Sequence, residues 1–260
     1  MKINNKKGIS LILIIILILV ILSAVGITLT LVIKNNEDNE IKNNLTENDT
    51  NIVESKENSD SQSEVNSNDF LMTVEDVFSI AYDTDEEQTV VTGRVERGEV
   101  RIGDTIEIVG MGKESITTEV TRIEMFREEK DILKEGESAG IALVNISREE
   151  VERGQVLAKP KSIEAYTSFE AEITMLTQEK GGRKNPFYDG YKPEFYFRTI
   201  GINGLVRLNN IEMVNPGETA TIKVDLTKSV AMEVGTEFKV REGGRTVGTG
   251  KVTKIIKEVN

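Results

Sequence analysis

Reactive chemistry in this chain has to come from carboxylates, lysines, tyrosines or a hard metal held by oxygen, because its 260 residues contain no histidine and no cysteine. Without those side chains the usual zinc sites, thiol nucleophiles and imidazole acid–base steps cannot be assembled. Disulfides are excluded as well. The most suggestive carboxylate pair is Glu75–Asp76. Neighbouring residues on a regular strand point to opposite faces, so the pair is expected not to share a proton-transfer site. A phosphate cradle of the form Gly-x-x-x-x-Gly-Lys-Ser/Thr occurs nowhere in the sequence, which leaves GTP without a binding loop. The expectation is a protein without catalysis, without a cofactor and without a bound metal.

The elements that would position such residues are strands. Val91, Gly93 and Val95 alternate with Thr92, Arg94 and Glu96, and Ile106 and Ile108 alternate with Thr105 and Glu107. Further on, Ala171, Ile173 and Met175 oppose Glu170, Glu172 and Thr174, and Ala220, Ile222 and Val224 oppose Thr221, Lys223 and Asp225. Period-two alternation in short stretches punctuated by glycine argues for antiparallel sheet closed into barrels. No stretch of this region keeps a helical period. The reading is an all-β body with a break near Lys159–Ser162. Arg94, Glu96, Arg97 and Glu99 are expected to pair across a hairpin, Arg183 and Arg245 to hold loops, and Phe195 and Phe197 to face a core.

Two further zones precede that body. Gly8–Ile33 is an uncharged, aliphatic run of 26 residues. As a helix it would reach about 39 Å, more than a hydrocarbon core of about 30 Å. The reading is a cytoplasmic basic segment at 1–8 and a transmembrane helix at 9–33. A cleaved signal peptide is the alternative, with small residues at Ser23, Ala24 and Gly26. Lys2, Lys6 and Lys7 precede the run, which keeps the N-terminus inside and sends the rest across. Lys6–Leu11 is also similar to a prepilin start, although Leu13 stands where a glutamate is expected. Residues 34–69 hold few aliphatics, no aromatic and many acids, and read as a disordered linker with a root-mean-square span of about 30–36 Å.

Taken in order, the body resembles domains two and three of elongation factor Tu. The matching stretches are Phe70–Met72, Glu75–Ile80, Thr89–Gly98, Glu124–Arg127 and Arg153–Pro160, then Gly181–Arg183, Phe195–Thr199 and Arg241–Gly248. The resemblance implies two consecutive β-barrels, at 70–160 and 162–258. The family begins with a GTPase domain, and here the apolar run and linker occupy that place.

The same resemblance implies half of an aminoacyl-tRNA pocket. Its remnant is Glu75, Asp76, Phe78 and Thr92, with Glu124 at the terminal ribose and Arg153 near the tRNA 5′ end. Arg183 and Lys184 match phosphate-facing positions. An aromatic wall with carboxylates and a hydroxyl suits an amino-acid side chain and its ammonium group. Departures oppose RNA. A short Gly-Arg-Gly turn of the family is replaced by Ala81–Gln88, which adds four acids and loses an arginine. Ser138 and Val144 stand where an asparagine and an arginine are common, and Glu194 and Asn203 replace a glutamine and a threonine. Acids near a phosphate oppose binding. The expected role is a membrane-anchored, non-catalytic module exposed outside the cytoplasmic membrane, with a protein or surface ligand as partner. The alternative is a translation-linked binder of aminoacyl-tRNA.

Overall fold

A computed structural model describes residues 68–81 and 87–257. The expected basic segment, transmembrane helix and nearly all of the linker lie outside these residues. Among the described residues no helix is long and apolar enough to cross a membrane.

The first barrel runs through β1 (Leu71–Ala81), β2 (Glu87–Arg97), β3 (Glu99–Arg101), β4 (Thr105–Gly110), β5 (Lys113–Met125), β6 (Glu128–Glu129), β7 (Ile132–Lys134), β8 (Ser138–Leu143) and β9 (Val156–Ala158). Its sheet order is β4-β9-β1-β2-β8-β5, and a β4–β5 pairing closes the ring. The inward set is the one that alternation marks: Val91, Val95, Ile106, Ile108, Ile123 and Ile141 are buried together. Gly93 permits the tightest crossing. A Cβ there would lie 1.8 Å from the Thr73 carbonyl oxygen, so no other residue lets β1 and β2 approach this closely.

The second barrel follows with β10 (Glu164–Met175), β11 (Phe187–Tyr188), β12 (Glu194–Phe197), β13 (Ile200–Leu208), β14 (Met213–Val214), β15 (Thr219–Met232), β16 (Glu237–Glu242) and β17 (Arg245–Ile256). Six of these strands close in the order β10-β15-β13-β12-β16-β17. Phe195 and Phe197 do face the core, where they meet Phe169 and Phe238. Phe169 meets Phe238 edge-on at 5.7 Å and Phe197 at 5.9 Å, contacts of about 0.5–1.5 kcal/mol each beyond the area they bury. The only helix among the described residues is one 3-10 turn, Gln178–Lys180.

Between the barrels the chain makes a short turn rather than a slack connection. Lys161 takes φ 64°, and its amide donates to the Glu107 carboxylate at 2.8 Å. Leu71, Val109, Val156 and Ala158 of the first barrel share a buried cluster with Ile163 and Ala231 of the second. Met111, at the β4–β5 turn, belongs to the second barrel's core. Its amide donates to the Ser229 carbonyl at 2.8 Å.

The hairpin pairing expected of Glu96 and Arg97 is corrected here. The Arg97 guanidinium reaches both carboxylate oxygens of Glu233, and Arg198 Nε reaches Glu96 at 2.8 and 3.0 Å. Both ion pairs join the barrels. Glu99 keeps a local partner, Arg101 at 2.8 Å, and Glu96 also accepts the Thr73 hydroxyl from β1. The outward alternation that suggested a hairpin contact also points these side chains at the neighbouring barrel, which a single strand's pattern does not reveal.

Candidate functional site on the first barrel

The outer face of the first barrel brings several predicted residues into one line. Asp76 pairs with Thr92 across β1 and β2, Thr92 with Gly140 across β2 and β8, and Gly140 with Glu124 across β8 and β5. Registered residues of a sheet share a face, so Asp76, Thr92 and Glu124 stand side by side. The position between Thr92 and Glu124 has no side chain. A Cβ on Gly140 would lie 3.2 Å from Val90 Cγ1, so a larger residue would fill the floor of this row. The next row is Phe78, Val90, Ala142 and Arg122. Phe78 is half-buried and belongs to no core cluster, which places it beside the acidic row and not inside the barrel.

Glu75 and Asp76 correct the opposite-face expectation. Val74 pairs with Gly93 and Asp76 with Thr92, leaving Glu75 as an extra residue in a β-bulge. Alternation breaks there, and both carboxylates are exposed. One Asp76 oxygen accepts the Val77 amide at 2.8 Å. The bulge also restores the phase that turns Val77 inward and Phe78 outward.

Arg153 stands apart from this row. It lies at the junction of the barrels, where its Nε donates to the Thr199 carbonyl at 3.0 Å. The adjacent Gly154, at φ 97°, has Ile200 Cγ2 2.5 Å from where a Cβ would be, so the second barrel presses directly on this turn. Arg183 lies on the second barrel with both Glu242 oxygens 2.6 and 2.7 Å from its Nη1. Its guanidinium sits 4.7 Å from the centre of the Tyr191 ring. Burial and the Glu242 charge push the Tyr191 phenol above its ordinary value, with Arg183 opposing. Arg183 therefore does fix a loop, as expected. Lys184 is exposed beside it, along an open cleft that also includes Thr177, Glu179 and Pro216.

Gly140 is the site residue that sequence reasoning missed. Its signal was present: a glycine at an outward position inside the strand Ser138–Leu143 marks a close approach or an open floor. Among the described residues no group of three or more acids is arranged to hold a metal ion.

An elongation factor Tu domain 2 model matches residues 88–158, and an elongation factor Tu C-terminal domain model matches residues 162–256. The chain belongs to the elongation factor Tu family. The family matches fall in both barrels and together span well over half of the sequence. β1 precedes the matched span of the first barrel, yet it supplies Asp76 and Phe78 to the candidate site.

Proposed function

We propose that this chain is a membrane-tethered, non-catalytic binding module that carries the two elongation factor Tu barrels outside the cytoplasmic membrane and engages a protein or surface ligand. Residues 9–33 are the span, the basic residues ahead of it stay inside, and the acidic spacer holds the barrels off the bilayer. The observation that carries a protein-type ligand over RNA is the pairing of Arg183, whose charge Glu242 neutralises. Arg153 gives only its Nε to the neutral Thr199 carbonyl and keeps its charge. RNA affinity depends on cations free to displace counterions, and Arg183 is no longer one of them. Protease added to intact cells tests the topology. The expected result is loss of the barrels with the first residues retained; full protection would overturn it.

A second reading is favoured by the row Asp76, Thr92 and Glu124, which leaves an acidic, hydroxyl-bearing surface suited to an ammonium group. On that reading the ligand is aminoacyl-tRNA and the barrels stay inside. Filter binding of aminoacyl-tRNA to the whole chain at physiological salt separates the two. Binding that is lost in Arg153→Ala would favour the tRNA reading, and its absence the first.

A further inference from the structure

β1 begins as an inner strand and ends as an edge. Along Leu71–Thr73 it pairs with β9 on one side and β2 on the other. At Val74 the amide donates to the Gln155 carbonyl at 2.9 Å, and the Gly154 amide donates back at 3.3 Å. From Glu75 to Ala81 no described strand lies on the side away from β2. Those residues would extend about 23 Å as a strand. Such an edge presents alternate backbone donors and acceptors to any chain that lies alongside. Folded proteins blunt such an edge with lysine, proline or a bulge; here the bulge sits at the start, at Glu75, and Asp76–Ala81 contains neither lysine nor proline.

Two features select what could pair there. Phe78 and Ile80 share the outward face with Asp76, and Ile80 is 37% exposed. Along the hairpin sequence the charge is of one sign: Leu71–Gly93 holds six Asp or Glu and no Lys or Arg. Glu87, paired with Ala81, adds an exposed acid at the far end of the described hairpin. A second copy of the same edge would bring acids against acids, which disfavours self-pairing. A basic extended segment meets the opposite condition at the acids of this hairpin.

We propose that the free edge of β1 binds a basic, extended peptide by strand addition. The peptide backbone pairs with Glu75–Ala81, its apolar side chains lie on Phe78 and Ile80, a Lys or Arg further along that face meets Asp76, and those on the opposite face lie toward Glu87. The inference rests on the binding-module reading and names its partner class; it does not depend on the side of the membrane.

The test uses the 260-residue chain in mild detergent and a labelled short peptide alternating lysine and valine. Two comparison probes are its glutamate–valine counterpart and the lysine–valine peptide with every amide nitrogen methylated. At physiological salt the lysine–valine peptide is expected to bind roughly tenfold or more tightly than either comparison, the equivalent of one or two net hydrogen bonds. Hydrogen exchange is expected to slow at the edge-facing amides within Phe78–Ala81. Ile80→Lys with Glu87→Lys, both exposed, is expected to weaken binding by a similar factor with an unchanged circular dichroism spectrum. Equal binding of the methylated or the acidic peptide, protection confined to other strands, or no binding would overturn the proposal. The methylated probe decides the matter even if the double variant folds poorly. A barrel pair found outside the cell that ignores all three peptides would sink the strand-addition site and leave the tethered module standing; a protected barrel pair that binds the basic peptide would do the reverse.

Discussion

Arg198 shows how one side chain can belong to two barrels. Its Nε is shared by the Glu96 carboxylate, its Nη1 donates to the Ala231 carbonyl at 2.7 Å, and only 13% of the side chain is exposed. Arg198→Ala leaves that carbonyl and a half-shielded carboxylate short of donors, and is expected to cost about 1–3 kcal/mol in urea denaturation. Glu96→Gln should cost less, and the double variant should show coupling above about 0.5 kcal/mol. Additive losses would mean that the pair does not act as a unit. Phe169 is the other residue whose removal should be felt. It is fully buried among three more phenylalanines, so Phe169→Ala is expected to cost about 3–5 kcal/mol and to lower the urea midpoint accordingly.

Two four-residue turns carry a pH signature at the level of elements. Glu150 accepts the Ser147 amide and hydroxyl at 2.7 Å, and Glu218 accepts the Asn215 amide at 2.8 Å. These bonds, the backbone one first in each case, hold both carboxyls below their ordinary value of 4.5. A depressed folded-state value stabilises the turn above the unfolded value and loses that contribution as pH falls through the folded one. The protection factors of the Ser147 and Asn215 amides are therefore expected to fall as pH drops below the ordinary carboxyl range, ahead of the barrel strands, and Glu218→Gln should remove that step at Asn215. Strand existence and facing were legible in the sequence because alternation at Val91–Val95 or Ala171–Met175 directly reports which side is buried. The bulge was not legible, since Glu75–Asp76 reads as ordinary alternation until its pairing with Gly93 and Thr92 is known. The row through Gly140 was half legible: the resemblance brought Asp76, Thr92 and Glu124 together, but only the register across four strands shows the open position between two of them. Arg153 was placed with that row by family resemblance, and the junction claims it because its contact partner lies 46 residues away in the other barrel.

The barrels are joined by a shared apolar cluster, two ion pairs and a methionine of the first barrel set in the core of the second. One cooperative urea transition is expected for the pair. Gly154→Leu, which forces a side chain into Ile200, should split it into two. A single transition in that variant would show that the contact at Gly154 does not couple the barrels. The chain also enters the first barrel beside the point where it leaves. Lys159 donates its amide to the Phe70 carbonyl at 3.0 Å and its ammonium to Asp69 at 2.8 Å, while Arg97 holds the Asp69 carbonyl at 3.1 Å. Asp69 was expected to belong to a disordered linker, and these bonds make it part of the barrel instead. Any tug transmitted along the upstream segment meets this clasp before it reaches β1. The clasp must open before that strand can peel away, so mechanical load falls first on a few polar bonds at the seam and spares the acidic hairpin at the opposite end of the strand.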